Sequence, residues 1–282
     1  MGLIKNIKGL FAKKKNEKTS FDQADISELM EMTEQKNLSD SLSQNLALIR
    51  EYTGNSFGLK IREFNFGPEN TRGAIVFIEG MVKTASQEEA IRSLFVYSLK
   101  KEGIPGGGSD LFTFVRDNIL LAPEVKEEGN LDKLVYSVML GDTLFLMEGV
   151  DRALVIDTKA WKTRDLAEPD AEISIRGVRE GFNESIHDNL SLLRRRLPIA
   201  QLWVESFQVG SLTRTQVATV YIKGLVGEGI LEEIRSRLKK IDTDSIIESG
   251  DIEHFIEDEP FTIFPLVQRT ERVDKAVASL VE

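Results

Sequence analysis

Cysteine is absent from the 282 residues. That excludes a disulfide scaffold and any thiolate nucleophile or metal ligand, and it is compatible with a reducing compartment. Histidine is almost absent: His187 and His254 stand far apart with no partner at ligand spacing, so both are read as surface or helix-flank residues. No run of 18 uncharged apolar residues occurs, so these residues hold no membrane-spanning helix. Lys5 and Lys8 break up the first apolar residues and no cleavage pattern follows, which excludes a secretory signal. Positive charge is in deficit, 36 Lys and Arg against 46 Asp and Glu for a net charge of -10, so the body of the chain would repel nucleic-acid phosphates. Catalytic motifs are missing too. Gly54 to Lys60 has the wrong spacing for a phosphate loop, and nothing resembles a nucleophile elbow.

What is present is internal similarity. Ala74-Ile-Val-Phe-Ile-Glu-Gly-Met-Val82 parallels Ala218-Thr-Val-Tyr-Ile-Lys-Gly-Leu-Val226. Asn45-Leu-Ala-Leu-Ile-Arg50 parallels Asn189-Leu-Ser-Leu-Leu-Arg194, and Leu59-x-Ile-x-x-Phe64-x-x-Gly67 parallels Leu202-x-Val-x-x-Phe207-x-x-Gly210. Pro123 and Val125 followed by Asp132-Lys133 parallel Pro265 and Val267 followed by Asp274-Lys275. Four blocks in one order, about 140 residues apart, have the period of a domain and not of a solenoid unit. The first copy continues into two apolar runs, Asp142–Gly149 and Ala153–Asp157, which read as a hairpin. The second copy reaches Glu282 before any such hairpin. The expectation is therefore a piece of a longer protein, because a domain short of two strands carries an open sheet edge.

The pattern predicts an α/β fold: two tandem related subdomains with mixed sheets flanked by helices, the second lacking its final strands through truncation, and no doubly wound sheet. The divisions are a basic amphipathic tail and linker over 1–37, a first subdomain over 38–160, a connector over 161–180 and a second subdomain over 181–282. With 41% hydrophobic residues the chain can bury one large core or two ordinary ones. Expected elements in the first subdomain are a helix near Ser39–Tyr52, strands near Gly58–Asn65 and Gly73–Glu79, and helices near Ser86–Lys101, from an N-cap at Ser109, and near Leu131–Met139. In the tail, Lys5, Lys8, Lys13, Lys14, Lys15 and Lys18 face only Glu17, with Leu3, Ile4, Ile7, Leu10 and Phe11 at helical spacing. Such a segment suits an anionic membrane surface, where each lysine adds about 1 kcal/mol, and equally suits a frayed soluble end.

Two weaker features invite chemistry. Gly106-Gly-Gly-Ser109 before a helix offers backbone N–H groups to an anion, but without a supporting lysine it is read as a flexible connection. Asp242, Asp244, Glu248, Asp251 and Glu253 hint at calcium, yet Ile246 and Ile247 stand where a ligand and a glycine are needed, so a solvated acidic face is preferred. No metal or cofactor is expected.

The densest polar constellation falls between the copies. Glu168, Asp170, Glu172, Arg176, Arg179, Glu180 and Glu184 alternate in sign. Asn183 is a candidate N-cap, and Arg194-Arg195-Arg196 suit the end of the following helix. Guanidinium–carboxylate pairing predicts an interdomain salt-bridge network; the competing reading is a recognition surface for a subunit or an anionic ligand.

These residues also carry a resemblance. Glu168-Pro169, Arg176-Gly177-x-Arg179-Glu180-Gly181-Phe182-x-Glu184, Asn189-Leu190 and Arg194-Arg195-Arg196 resemble the A-subunit family of spore germinant receptors. Val204-Glu-Ser-Phe-Gln-Val-Gly210, Val220-Tyr-Ile-Lys-Gly224 and Phe264-Pro-Leu-Val-Gln-Arg-Thr-Glu-Arg272 strengthen it. One departure is Val178, where the family usually has proline. The resemblance spans the chain from about Leu38 onward. It implies a cytosolic N-terminal region ahead of membrane helices, on the cytoplasmic face of the inner spore membrane. It also implies B and C subunits as partners, self-association through the full-length A subunit, and ion movement gated by nutrients. The implied role is assembly and signal transduction without enzymatic activity. The alternative is a binding module holding a germinant or metabolite in an interdomain cleft.

Overall fold

Strand alternation decides how the first half is layered. The computed structural model describes residues 36–98, 103–160, 180–258 and 266–282. In the first of these stretches α1 (Leu42–Tyr52) is followed by β1 (Leu59–Phe66), β2 (Thr71–Ile78) and α2 (Thr84–Ser98). Then come α3 (Gly108–Phe114), which runs on as a π-helical turn over Val115–Ile119, β3 (Val125–Glu128), α4 (Leu131–Leu140), β4 (Thr143–Met147) and β5 (Ala153–Ile156). The five strands lie in the order β1-β2-β4-β5-β3. Ala74, Val76, Ile78, Leu144 and Leu146 face α1 and α4, while Ile75, Phe145 and Met147 face α2 and α3. A strand covered by helices on both faces is apolar at nearly every position, and β4 is buried from end to end, its one polar residue, Thr143, bonded to the Thr158 hydroxyl at 2.8 Å.

The second half holds α5 (Ile186–Arg196), β6 (Leu202–Val209), β7 (Thr215–Ile222), α6 (Glu228–Lys240), α7 (Ser249–Ile256) and α8 (Val273–Val281). Among the described residues β6 and β7 form a sheet of two strands. Leu190, Leu192, Leu193, Leu202, Val204, Ile222 and Val273 form its core. Helix, hairpin, two helices and a closing helix occur in the same order in both halves. Small devices match as well. Left-handed residues close both hairpins, Gly67 and Asn70 in one, Gly210 and Arg214 in the other. A bridge ties the entry of each half to the N-cap of its closing helix, Asn37 to Asn130 and Gly181 to Arg272.

The shared asparagine has a specific task. Ser41 caps α1, and Asn45 in the next turn accepts from Ser39 N at 2.9 Å and donates to Ser39 O at 2.7 Å. Ser185 caps α5, and Asn189 accepts from Asn183 N at 2.8 Å and donates to Asn183 O at 2.6 Å. Each amide thus satisfies both backbone polar groups of a residue just ahead of a helix.

The α/β class with flanking helices holds, and strand direction is narrower than the mixed sheets expected: every ladder between named strands is antiparallel. Tight turns after β1, β4 and β6 leave adjacent strands no other direction. Three local readings change. Ser109 lies inside α3, whose N-cap is Gly107. Asn183 precedes the cap at Ser185 and accepts from that residue's N–H. Val125–Glu128 is a strand, paired with β5, that was unmarked because its residues are mostly charged. The tail and most of the linker (1–35), and nearly all of the connector (161–179), lie outside the described residues. Asn45→Ala strands two peptide groups beside a buried site and should cost about 1–3 kcal/mol. In urea unfolding the midpoint should fall with an unchanged slope, and Asn45→Asp, which keeps only the acceptor, should fall between the two.

Candidate functional site

The two halves are joined by a seam of hydrogen bonds centred on the turn between α1 and β1. Phe57 N donates to Val204 O at 2.9 Å, and Val204 N donates to Ser56 Oγ at 3.1 Å, so the turn pairs with β6 almost as a strand would. Trp203 Nε1 donates to Tyr52 O at 3.4 Å. Gly54 has φ +62°, and a Cβ there would stand 2.1 Å from the Trp203 ring. Only glycine admits both that conformation and that approach. On the α5 side, Gly80 lies against Ser191 and the His187 carbonyl. His187 stacks obliquely on Phe57 with ring centres 5.3 Å apart, and its Nε2 is 3.5 Å from Glu79.

Arg194 is the unusual member of the seam. It is 1% exposed, and its Nη2 donates to Phe57 O at 2.6 Å. Its Nε has no hydrogen-bond partner, and no carboxylate among the described residues pairs with it. Burial pushes its pKa down to about 10, so the guanidinium keeps its charge at neutral pH. A buried cation neutralised only by a carbonyl dipole costs free energy, and that cost is met where the two halves touch.

Beside the seam lies a cleft of about 660 Å³. β1 and β2 contribute Lys60, Arg62 and Phe77, the following turn Glu79, and α5 Asp188 and Arg195. Lys60 and Glu79 pair at 3.1 Å. This mixture of both signs with apolar wall is suited to holding a small polar molecule. Among the described residues it presents no activated nucleophile: Ser191 Oγ donates to the His187 carbonyl at 2.7 Å and not to an imidazole.

The family model for the Bacillus/Clostridium GerA spore germination protein matches residues 47–282. The chain belongs to the GerA family. It is 36% identical to spore germination protein KA of Bacillus subtilis (strain 168) over 97% of this chain and 50% of that protein. It is 31% identical to spore germination protein GerLA of Bacillus cereus over 87% of this chain and 49% of that one. The chain thus spans about half the length of the curated relatives it matches. The crystal structure of the N-terminal domain of the A subunit of the Bacillus megaterium spore germinant receptor GerK3 is similar, with a TM-score of 0.66 and 35% identity. That similarity covers 87% of this chain and 89% of the other. No helix among the described residues of this GerA chain is long and apolar enough to cross a membrane.

Of the charged residues singled out in the sequence, the described ones take separate positions. Glu168, Asp170, Glu172, Arg176 and Arg179 lie outside the described residues. Glu180, the last residue of the connector, pairs with Arg196 of α5 at 2.7 Å. Glu184 is exposed, Arg195 lines the cleft, and Arg194 meets a carbonyl where a carboxylate partner was expected. Elsewhere, Asp251 accepts from the N–H groups of Ile247 and Glu248 and caps α7, which holds its carboxyl below the usual range. Asp244 accepts from Ser211 at 2.7 Å. The carboxylate of Glu69 lies against Gly106 and Gly107, so the anion beside the glycine loop is the protein's own. The turn at 53–58 had no motif to mark it; its one signal was a glycine pair, Gly54 and Gly58, between a helix and a strand. For Arg194→Met, which keeps the volume and whose removal of the buried charge offsets the orphaned Phe57 carbonyl, unfolding free energy should stay within about 1 kcal/mol. Arg194→Ala should lose about 2–4 kcal/mol through the cavity and the orphaned Phe57 carbonyl, measured by denaturant unfolding.

Proposed function

We propose that this chain is the cytosolic N-terminal region of a nutrient germinant receptor A subunit. Its role is receptor assembly and transmission of the signal that triggers germination, by biasing ion movement through a membrane part. In this reading the halves are tandem related subdomains, 38–160 and 181–282, joined by the connector, and the chain has no enzymatic activity. Its partners are the B and C subunits and further A subunits, at the inner spore membrane. The observation that carries the reading is the seam, in a chain whose solved relative is the N-terminal domain of a germinant receptor A subunit. A buried charge and two opposed hydrogen bonds, one between backbones and one from a backbone N–H to the Ser56 hydroxyl, make an interface that holds one arrangement tightly or reorganises as a whole, as a two-state element requires.

The cleft supports a second reading, a binding module for a germinant or metabolite, because groups of both signs and an apolar wall converge where the halves meet. The two readings separate in spores carrying the full-length protein. Gly54→Val should abolish or slow nutrient-triggered germination while the subunits remain in the membrane; loss of the subunits would make the seam an assembly element, and normal germination would sink the seam's role. Arg195→Glu should shift the nutrient concentration for half-maximal response about tenfold or more if the cleft binds nutrient, and leave it unmoved if the seam alone transmits.

A further inference from the structure

Among the described residues the two halves differ at the outer edge of their hairpins. β2 has β1 on one side and β4 on the other, with Gly73 opposite Met147, Ala74 opposite Leu146, Ile75 opposite Phe145 and Val76 opposite Leu144. β7 is paired with β6 along its length, and no strand among the described residues lies on its other side. The four residues of β2 that meet β4 are all buried; the four that take their places in β7, Val217, Ala218, Thr219 and Val220, are all half-buried. The closing helices differ in the same sense. α4 and α8 both lay an apolar face on their sheets, through Leu131, Leu134, Val135 and Val138 in one and Val273, Ala276, Val277 and Leu280 in the other. Met139, next on α4, is 1% exposed, whereas Val281, next on α8, is 45% exposed.

We propose that the Val217–Val220 edge of β7 is a strand-acceptor site, filled by an apolar hairpin that enters from the C-terminal end of α8. The geometry of the first half states what fits. α4 leads through Gly141 and Asp142 into β4, a strand apolar on both faces, and β5 returns beside it. A chain carried past Glu282 leaves α8 from the corresponding position. It would pair antiparallel with β7 opposite Val217–Val220, and its side chains would cover Val281. Polypeptide for this is at hand in proteins of the relatives' size, since the present chain spans about half their length. An open apolar edge otherwise invites pairing with other chains, which is the hazard such a hairpin removes. The inference rests on reading the halves as tandem related subdomains.

Amide hydrogen exchange on the 282-residue chain and on the same protein extended past Glu282 tests it. In the shorter chain the outward-facing amides of Val217–Val220 should exchange about tenfold or more faster than those of Gly73–Val76, and in the extended chain the two sets should match. Fast exchange that persists after extension overturns the proposal while leaving the subdomain reading intact, provided the β6–β7 ladder is protected. If that ladder is itself unprotected, the subdomain reading fails instead. Protection of the edge in the short chain that grows with protein concentration, together with a dimer in sedimentation, would make a second copy the occupant and overturn the hairpin.

Discussion

The arrangement of this molecule depends on how the turn at 53–58 is seated in the second half. Backbone pairing of Phe57 with Val204, the Ser56 hydroxyl under Val204 N, and the Arg194 guanidinium on the Phe57 carbonyl all act within one turn of chain. Water cannot substitute there, because Ser56 and Arg194 are both buried, so losing one partner leaves another group unsatisfied. The geometry of the cleft follows from that seating. α5 carries Arg194 inward to the seam and Asp188 and Arg195 outward to the cleft, so a shift of the helix would move seam and cleft lining together.

Electrostatics in the second half follow a division between holding and presenting. Arg235 binds Glu205 through two nitrogens at 2.8 and 2.5 Å, and Tyr221 donates to the same carboxylate at 2.6 Å. Those bonds, Arg235 foremost, keep the Glu205 carboxyl below its usual range, while burial and the neighbouring carboxylate push the Tyr221 phenol up to about 12. This cluster clamps α6 to the outer face of the hairpin. Arg194 stands apart from it. Its burial has no counter-ion among the described residues, a cost carried by closure of the seam and relieved by its partial opening.

Legibility varied with the kind of interaction. The β4–β5 hairpin was readable because two short apolar runs and the Gly149 turn between them are local signals, and α1, α4 and α5 were readable from apolar spacing and their end residues. β3 was not, since Lys126, Glu127 and Glu128 on an edge strand look like loop. The repeated asparagine was visible as a match between Asn45 and Asn189, but its work, closing a loop onto residues 39 and 183, is a matter of three-dimensional contact. The arginine run was visible as charge. That its first member turns inward to a carbonyl, its second to the cleft and its third to Glu180 follows from the pitch of α5 and from what packs on each side of it.

By itself the sequence determined the α/β class and membership of a germination family, and it predicted a duplicated order of elements, because periodicity, turn residues and matched blocks are properties of neighbours along the chain. Only the tertiary structure decided where the halves touch, that the joining contact is a glycine turn and a buried arginine, and that one edge of β7 has no partner strand among the described residues. Those outcomes depend on residues about 140 apart meeting under close packing, and no local pattern encodes the distance of a Cβ from a tryptophan ring or the seating of a guanidinium on a distant carbonyl.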